Sequence, residues 1–240
     1  MNFSGIYREE QFWKGERVSW VEAGDILGTN CYCDEEAMEE IRQRLAGLPE
    51  EGIYFIDSGN YHYISRIRAG LVKRPFRLLV FDNHTDMQLP AFGGLLSCGG
   101  WISSALLETG NLREVFLVGP DEEAYGQVEE KFRKRVRLLP GEAWWLCEIP
   151  TDLPLYISID KDVLQKADAA TAWSQGDMSL QELMDMLEEL ADHFQENGGE
   201  IRWIDICGEC APEAPSGCEK NDKANKALLK FWKRRLPLLR

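Results

Sequence analysis

RLLVFDNHTD, residues 77–86, sets a short apolar run directly against two aspartates and a histidine. The run is strand-like: four consecutive apolar residues, Leu78 to Phe81, suit a strand covered on both faces. Similar runs recur along the chain as GIYFID (52–57), EVFLVG (114–119), PLYISID (154–160) and EIRWIDIC (200–207). Between them lie helical patterns. Asp34 to Ala46 carries Met38, Ile41 and Leu45 on one stripe, with Gly47 as a C-terminal stop. SSALLETG (103–110) and DEEAYGQVEEKFRK (121–134) are shorter candidates. SLQELMDMLEELADHFQEN (179–197) opens on a Ser179/Glu182 capping box. It carries Leu180, Leu183, Met184, Leu187, Leu190, Ala191 and Phe194 at period 3.6, and Asn197-Gly198-Gly199 ends it. Apolar strands alternating with helices predict an α/β fold, a three-layer α/β/α arrangement around a mostly parallel sheet. In such sheets ligands bind beyond the carboxyl ends of the strands. We read residues 1–240 as a single domain, with 220–240 as a basic C-terminal helix; no repeat or low-complexity segment interrupts it.

Composition narrows the function. Apolar residues make up 44% of the chain and aromatics 10%, enough for a packed core. The 41 acids against 27 bases give a net charge of −14, which argues against nucleic acid as a partner. No apolar run approaches the ~20 residues of a membrane span. MNFSGIYREEQFWKGE (1–16) has no apolar signal region, so the expectation is a cytoplasmic protein whose seven cysteines are reduced. The acidity is uneven. From Lys220 to Arg240 eight bases face one acid, a +7 tail that leaves −21 on the remainder. Ala224, Leu228, Trp232 and Leu236 share a face there, which suits a last helix packed on the acidic body; a homo-oligomer contact is the alternative.

Three strands end in polar clusters: Asp82-Asn83-His84-Thr85-Asp86, Asp160-Lys161-Asp162, and Ser58-Gly59-Asn60-Tyr61-His62. Residues at i, i+2 and i+4 of an extended segment point the same way, so Asp82, His84 and Asp86 are expected to converge, as are Asp160 and Asp162. Either cluster alone is compatible with a solvated loop. Together they place four aspartates and two of the chain's three histidines at strand ends, and such a crowd repels unless something positive sits among it. Carboxylates mixed with imidazole suit Mn²⁺, Zn²⁺ or Fe²⁺ better than Ca²⁺. Six ligands can hold two ions, and a pair of ions turns a bridging water into hydroxide.

FDNHTDMQ (81–88) resembles the DxHxD motif of the arginase, agmatinase and formiminoglutamase family, the ureohydrolases. SIDKDVL (158–164) resembles its SxDxD motif, and GNYH (59–62) its GGxH segment with one glycine lost. The resemblance runs from about Gly52 to Pro212. It implies an arginase-like fold and a binuclear centre of two divalent ions, manganese in the family. Asp82 and Asp160 would bridge them, His62 and Asp86 would complete one, and His84 and Asp162 the other. It also implies hydrolysis of a linear C–N bond in a guanidino- or amidine-type small molecule by the bridging hydroxide. IDICGECAP (204–212) resembles the family's D-I-x-E-x-N-P segment with one extra residue, which makes Glu209 the candidate catalytic acid facing a cationic substrate. WSQGDMSLQEL (173–183) resembles the glycine-containing segment before the family's long helix. One departure stands out. The family's Gly-rich loop carries a proton-transfer histidine, whereas LSCGGWISS (96–104) has Trp101 near that place.

Other features read as structural. His193 falls on the flank of the long helix. Cys207, Cys210 and Cys218 form no complete zinc pattern, and Cys98 lacks an evident partner base. Trp144, Trp145 and Tyr32 suit packing, and Glu35, Glu36, Glu39 and Glu40 a solvated helix face. Two alternatives stay open: an amide hydrolase or deacetylase-like enzyme on the same fold, and a family member that binds metal or ligand without catalysis.

Overall fold

A computed structural model describes residues 1–89, 94–141, 143–210 and 215–236. In chain order the elements are β1 (Tyr32–Cys33), α1 (Glu35–Leu45), β2 (Gly52–Phe55), α2 (Ile64–Ala69), β3 (Phe76–Phe81), β4 (Leu96–Ser97) and α3 (Trp101–Glu108). Then follow β5 (Leu112–Val118), α4 (Glu122–Gly126), α5 (Glu130–Arg133), β6 (Val136–Leu138), β7 (Leu155–Asp160), α6 (Leu180–Glu196), β8 (Ile201–Cys207) and α7 (Pro215–Arg235). Six strands form one sheet in the order β2-β8-β7-β3-β5-β6, every pair parallel. β1 and β4 make a separate antiparallel pair. The alternating pattern thus yields the expected α/β architecture.

Parallel strands must be covered on both faces, and the side-chain alternation does this. Leu78 and Val80 of β3 pack with α1, α2 and α3 through Ile41, Leu45, Ile64, Ile67, Trp101 and Ile102. Leu79 and Phe81 of the same strand face α6 and α7, where Leu183, Leu187, Leu190, Leu228 and Trp232 lie. All six residues of β3 and of β7 are buried. These two strands are neighbours, and the chain runs outward from them in opposite directions: β3 leads to β5 and β6, β7 leads to β8. Their carboxyl ends therefore frame the crevice where such sheets bind ligands.

Several details differ from the sequence reading. The segment 121–134 is not one helix but two short ones, because Gly126 and the polar residues beyond it leave no continuous apolar stripe. The three-residue edge strand β6 was too short to read from periodicity. In α6 Met186 is buried, while Leu180 and Met184 pack only partly. The C-terminal helix begins at Pro215, before the basic run, and residues 237–240 lie outside the described ones. Its apolar stripe is buried as expected. Its bases meet acids of the body: Arg235 with Glu188 and Asp192, Arg234 with Glu188, and Lys233 with Glu16. No helix among the described residues is long and apolar enough to cross a membrane.

The α6 capping box is formed. The Ser179 hydroxyl accepts from the Glu182 N–H at 3.1 Å, and the Glu182 carboxylate accepts from the Ser179 N–H at 2.7 Å. Replacing Ser179 by Ala is expected to lower stability by about 1 kcal/mol, within the usual range of about 0.5–2 for a lost cap. In urea unfolding this reads as a lower midpoint with an unchanged slope.

Candidate metal centre

The crevice between β3 and β7 collects the six residues expected there. His62 follows β2 and a single 3-10 turn (Gly59–Tyr61) and is buried under the site. Its Nδ1 lies 3.0 Å from Asp86 Oδ2, 3.3 Å from Asp82 Oδ2 and 3.5 Å from Asp160 Oδ2. Its Nε2 pairs with Ser158 Oγ at 2.8 Å, which fixes the ring. His84 Nδ1 lies 2.9 Å from Asp162 Oδ2 and 3.4 Å from Asp82 Oδ1, and its Nε2 pairs with Ser174 Oγ at 2.8 Å. Asp82 thus offers one oxygen to each histidine, the arrangement a bridging carboxylate takes. Among the described residues, three groupings have donor atoms near enough for one ion: His62 with Asp82 and Asp86, Asp82 with His84 and Asp162, and His62 with Asp160 and Cys207.

The convergence does not come from an extended pleat, as the spacing suggested. β3 ends at Phe81, and the chain turns at once: the His84 N–H donates to Asp82 Oδ1 at 2.6 Å, and Asp86 adopts left-handed backbone, φ 47°. Asp162 likewise sits in a 3-10 turn after β7, with its N–H on Asp160 Oδ1 at 2.9 Å. Local side-chain-to-backbone bonds, rather than strand period, aim these groups.

A cavity of about 630 Å³ opens onto Asp82, His84, Asp86, Asp160 and Asp162. Its other walls include Tyr32, Gln88, Cys98, Glu129 and Trp173, and none of its lining residues is Lys or Arg. Tyr32, expected to be a packing residue, is instead 42% exposed at this wall. Trp173 belongs to the WSQG segment, which folds over the DNHTD loop: its ring lies 6.1 Å from that of His84, and Asn83 donates to the Ser174 carbonyl at 3.0 Å. Cys98 lines the cavity beside Cys31, whose carbonyl accepts its N–H at 2.9 Å. Burial first and Asp86 second push the Cys98 thiol up to about 12, far from a reactive thiolate.

Trp101 is fully buried, 4.8 Å from the His62 ring, and its indole N–H donates to Asp86 Oδ2 at 2.7 Å. It is a packed residue that orients a carboxylate, not a cavity wall. His193 lies apart, donating from Nε2 to the Ile149 carbonyl at 3.0 Å. The side chains of Trp144 and Trp145 lie outside the described residues, as do Ala211 and Pro212.

Glu209 departs from expectation. It is fully buried, absent from the cavity wall, and ion-paired with Lys161. Asn225 completes the group, donating to Glu209 Oε1 and to Glu10 Oε2, each at 2.8 Å, and accepting from Lys161 at 2.8 Å. Within this segment Gly208 has φ +88° and lies so close to Asp160 and Lys161 that no Cβ fits. The chain turns there, and Glu209 ends up behind the metal loop. Cys207, expected to be a buried thiol, is buried, and its sulfur also reaches the cluster. It pairs in register with Asp160 across β7 and β8, an adjacency visible only once the strand order is known.

The acids feel one another. Burial first and Asp86 second raise the Asp82 carboxyl; burial and then Asp162 lift Asp160 to about 6; burial and then Asp82 lift Asp162 to about 6. Asp162 and then Asp82 push His84 up to about 11. Burial opposes a charged His62, yet Cys207, Asp82 and Asp86 carry it well above the ordinary imidazole value. Protons or cations must offset this charge. The buried His62 Nδ1 makes no hydrogen bond despite three carboxylates around it, which fits a metal ligand better than a hydrogen-bond donor.

No family model matches the chain. An uncharacterized protein of Thermotoga maritima is 31% identical over 229 residues, covering 95% of this chain and 86% of that protein. Among solved structures, an arginase from Bacillus subtilis superposes with TM-score 0.66 at 16% identity, over 97% of this chain and 90% of that one. Formimidoylglutamase from Bacillus subtilis gives 0.59 at 16% identity, over 84% and 68%. Proclavaminate amidino hydrolase from Streptomyces clavuligerus gives 0.59 at 14%, over 82% and 69%. These likenesses establish the arginase-like α/β fold.

The shifted groups set a pH dependence. With carboxyls raised from 3.8 to about 6, the metal-free fold holds more protons than the unfolded chain across that window. His84, raised from 6.5 to about 11, extends the excess upward. Stability falls with rising pH wherever the folded state holds more protons, so metal-free protein should lose stability from about pH 5 to about pH 9. Divalent ions displace the same protons. Melting in chelator should show a falling Tm across this range, and saturating Zn²⁺ or Mn²⁺ should flatten or reverse it; a Tm that rises in chelator contradicts this account.

Proposed function

We propose that this chain, which belongs to one family with the uncharacterized Thermotoga maritima protein, is a metal-dependent hydrolase that cleaves a linear, non-peptide C–N bond in a small guanidino- or amidine-type molecule. The observation that carries this reading is the Asp82 carboxylate, set with one oxygen toward His62 and the other toward His84 at the floor of an open cavity. Two divalent ions fit that donor set: one among His62, Asp82, Asp86 and Asp160, the other among Asp82, His84 and Asp162. When bound, such ions supply Lewis-acid activation of water and of the scissile group.

The chain's own residues do the rest. Ser158 and Ser174 hold the two imidazoles by their outer nitrogens, and Trp101 holds Asp86; such outer partners fix ligand geometry. Among the described lining residues there is no Lys or Arg, and the aromatic faces of Tyr32 and Trp173 suit a cationic group on an entering substrate. Because Glu209 is ion-paired behind the loop, it does not meet a substrate in the cavity. The residue 101 indole N–H is committed to Asp86, so proton transfer to the leaving nitrogen does not run through that position. The names of the arginase, formimidoylglutamase and amidino hydrolase neighbours support the C–N bond class.

The test is turnover. Purified protein reconstituted with Mn²⁺ or Zn²⁺ should release urea, ammonia or an amide product from at least one member of a panel of guanidino and amidine compounds. His84→Ala should fold and lose more than the roughly 10–100-fold that follows loss of an outer-shell partner. No turnover of any such compound with either metal overturns the reading.

A further inference from the structure

The six residues just described contain only nitrogen and oxygen donors. A seventh side chain meets the same atoms. Cys207, the last residue of β8, lies beside Asp160, the last residue of β7, in parallel register. Its thiol is 1% exposed and donates to Asp160 Oδ2 at 3.2 Å. That same oxygen lies 3.5 Å from His62 Nδ1, the buried nitrogen that makes no hydrogen bond. The donor atoms of His62, Asp160 and Cys207 all fall within 4.8 Å of one another. The 3.2 and 3.5 Å contacts that Asp160 Oδ2 makes with the thiol and with His62 are close to the separations donors take around one ion bound at about 2.0–2.3 Å. Cys207 is not on the cavity wall; it closes the floor of the His62 side from within the sheet.

We propose that Cys207 is a thiolate ligand to the ion on the His62 side, and that the centre therefore selects Zn²⁺ or another borderline ion over Mn²⁺. This rests on the metal reading given above and departs from the manganese that the family resemblance implies. The chemistry balances without any redox partner: an S–metal bond forms, the S–H bond to Asp160 breaks, and the proton leaves to solvent. A bare S–H donor to a carboxylate would be a weak use of this position. A thiolate beside an imidazole and a carboxylate is instead a ligand set that suits zinc, because thiolate is soft and Mn²⁺ prefers oxygen. The asymmetry is built into the sheet. The His84 side has no sulfur in its grouping, so only one of the two positions becomes softer.

Cobalt titration of metal-free full-length protein tests this. Wild type should develop visible d–d bands together with an intense near-ultraviolet thiolate-to-cobalt band. Cys207→Ser should keep the d–d bands and lose the near-ultraviolet band, and Cys207→Ala serves where the serine variant folds poorly. Cys98→Ser, which alters the cavity wall only, should keep both. In competition between Zn²⁺ and Mn²⁺, wild type should favour zinc, and Cys207→Ser should narrow that preference by about 10–100-fold, the range that single groups around a metal control. d–d bands without a near-ultraviolet band in wild type, or an undiminished band in Cys207→Ser, overturn the thiolate ligand and leave the metal centre standing. Absence of any retained cobalt overturns both.

Discussion

Mutual repulsion among four buried aspartates is the constraint on which this structure turns. Asp82, Asp86, Asp160 and Asp162 are each at least nine-tenths buried and gather around two imidazoles at the ends of β3 and β7. In that setting the charged forms cost far more than in water, and each acid raises its neighbours. Apolar residues of equal volume would pack there at lower cost, so packing alone does not account for the cluster. The fold is arranged to enforce the crowding. β3 and β7 are the two central strands, buried on both faces, so each is held by a neighbouring strand on either side.

Backbone detail finishes what the sheet begins. A Cβ at Gly119, φ +117°, would stand 2.2 Å from the Asp82 carbonyl, and one at Gly208 would stand 2.3 Å from Asp160 Oδ1. Both positions need left-handed backbone and the absence of a side chain, so two of the four acids are seated against glycine. Asp86 reaches its place through left-handed backbone of its own, an uncommon state for a residue with a side chain. Such conformations persist where surrounding contacts over-determine them, here the Trp101 indole and His62.

What the sequence made legible follows from range. DNHTD and DKD are local, and their residues meet because of bonds spanning two positions, so a motif reading finds them even with the wrong backbone picture. His62 is reached from β2, on the far side of β8, yet its place after a strand was enough to include it. The places of Cys207 and Glu209 escape a local pattern for opposite reasons. Cys207 joins the site through strand adjacency, which no single sequence prints. Glu209 lies outside it because the chain turns at Gly208, whose left-handed backbone the spacing does not reveal. The short strand β6 and the division of residues 121–134 escaped for want of period.

The buried cluster around Glu209 holds the loop that carries Asp160 and Asp162 from beneath. Lys161 lies between two of the acids but turns its ammonium away from them, into a fully buried group with Glu209, Asn225 and Glu10. Burial first, and Glu209 second, raise Glu10 to about 9, so at neutral pH it carries its proton. The reach of the cluster is what matters. Glu10 comes from the N-terminal segment, Asn225 from α7, and Glu209 from the end of β8, so three distant parts of the chain fix the residue between Asp160 and Asp162. A buried ion pair is weak evidence of net stabilisation, but removing one partner strands the other, which makes the pairing specific. The loop that positions two of the acids is thereby tied to the whole fold, through contacts that only the native arrangement supplies.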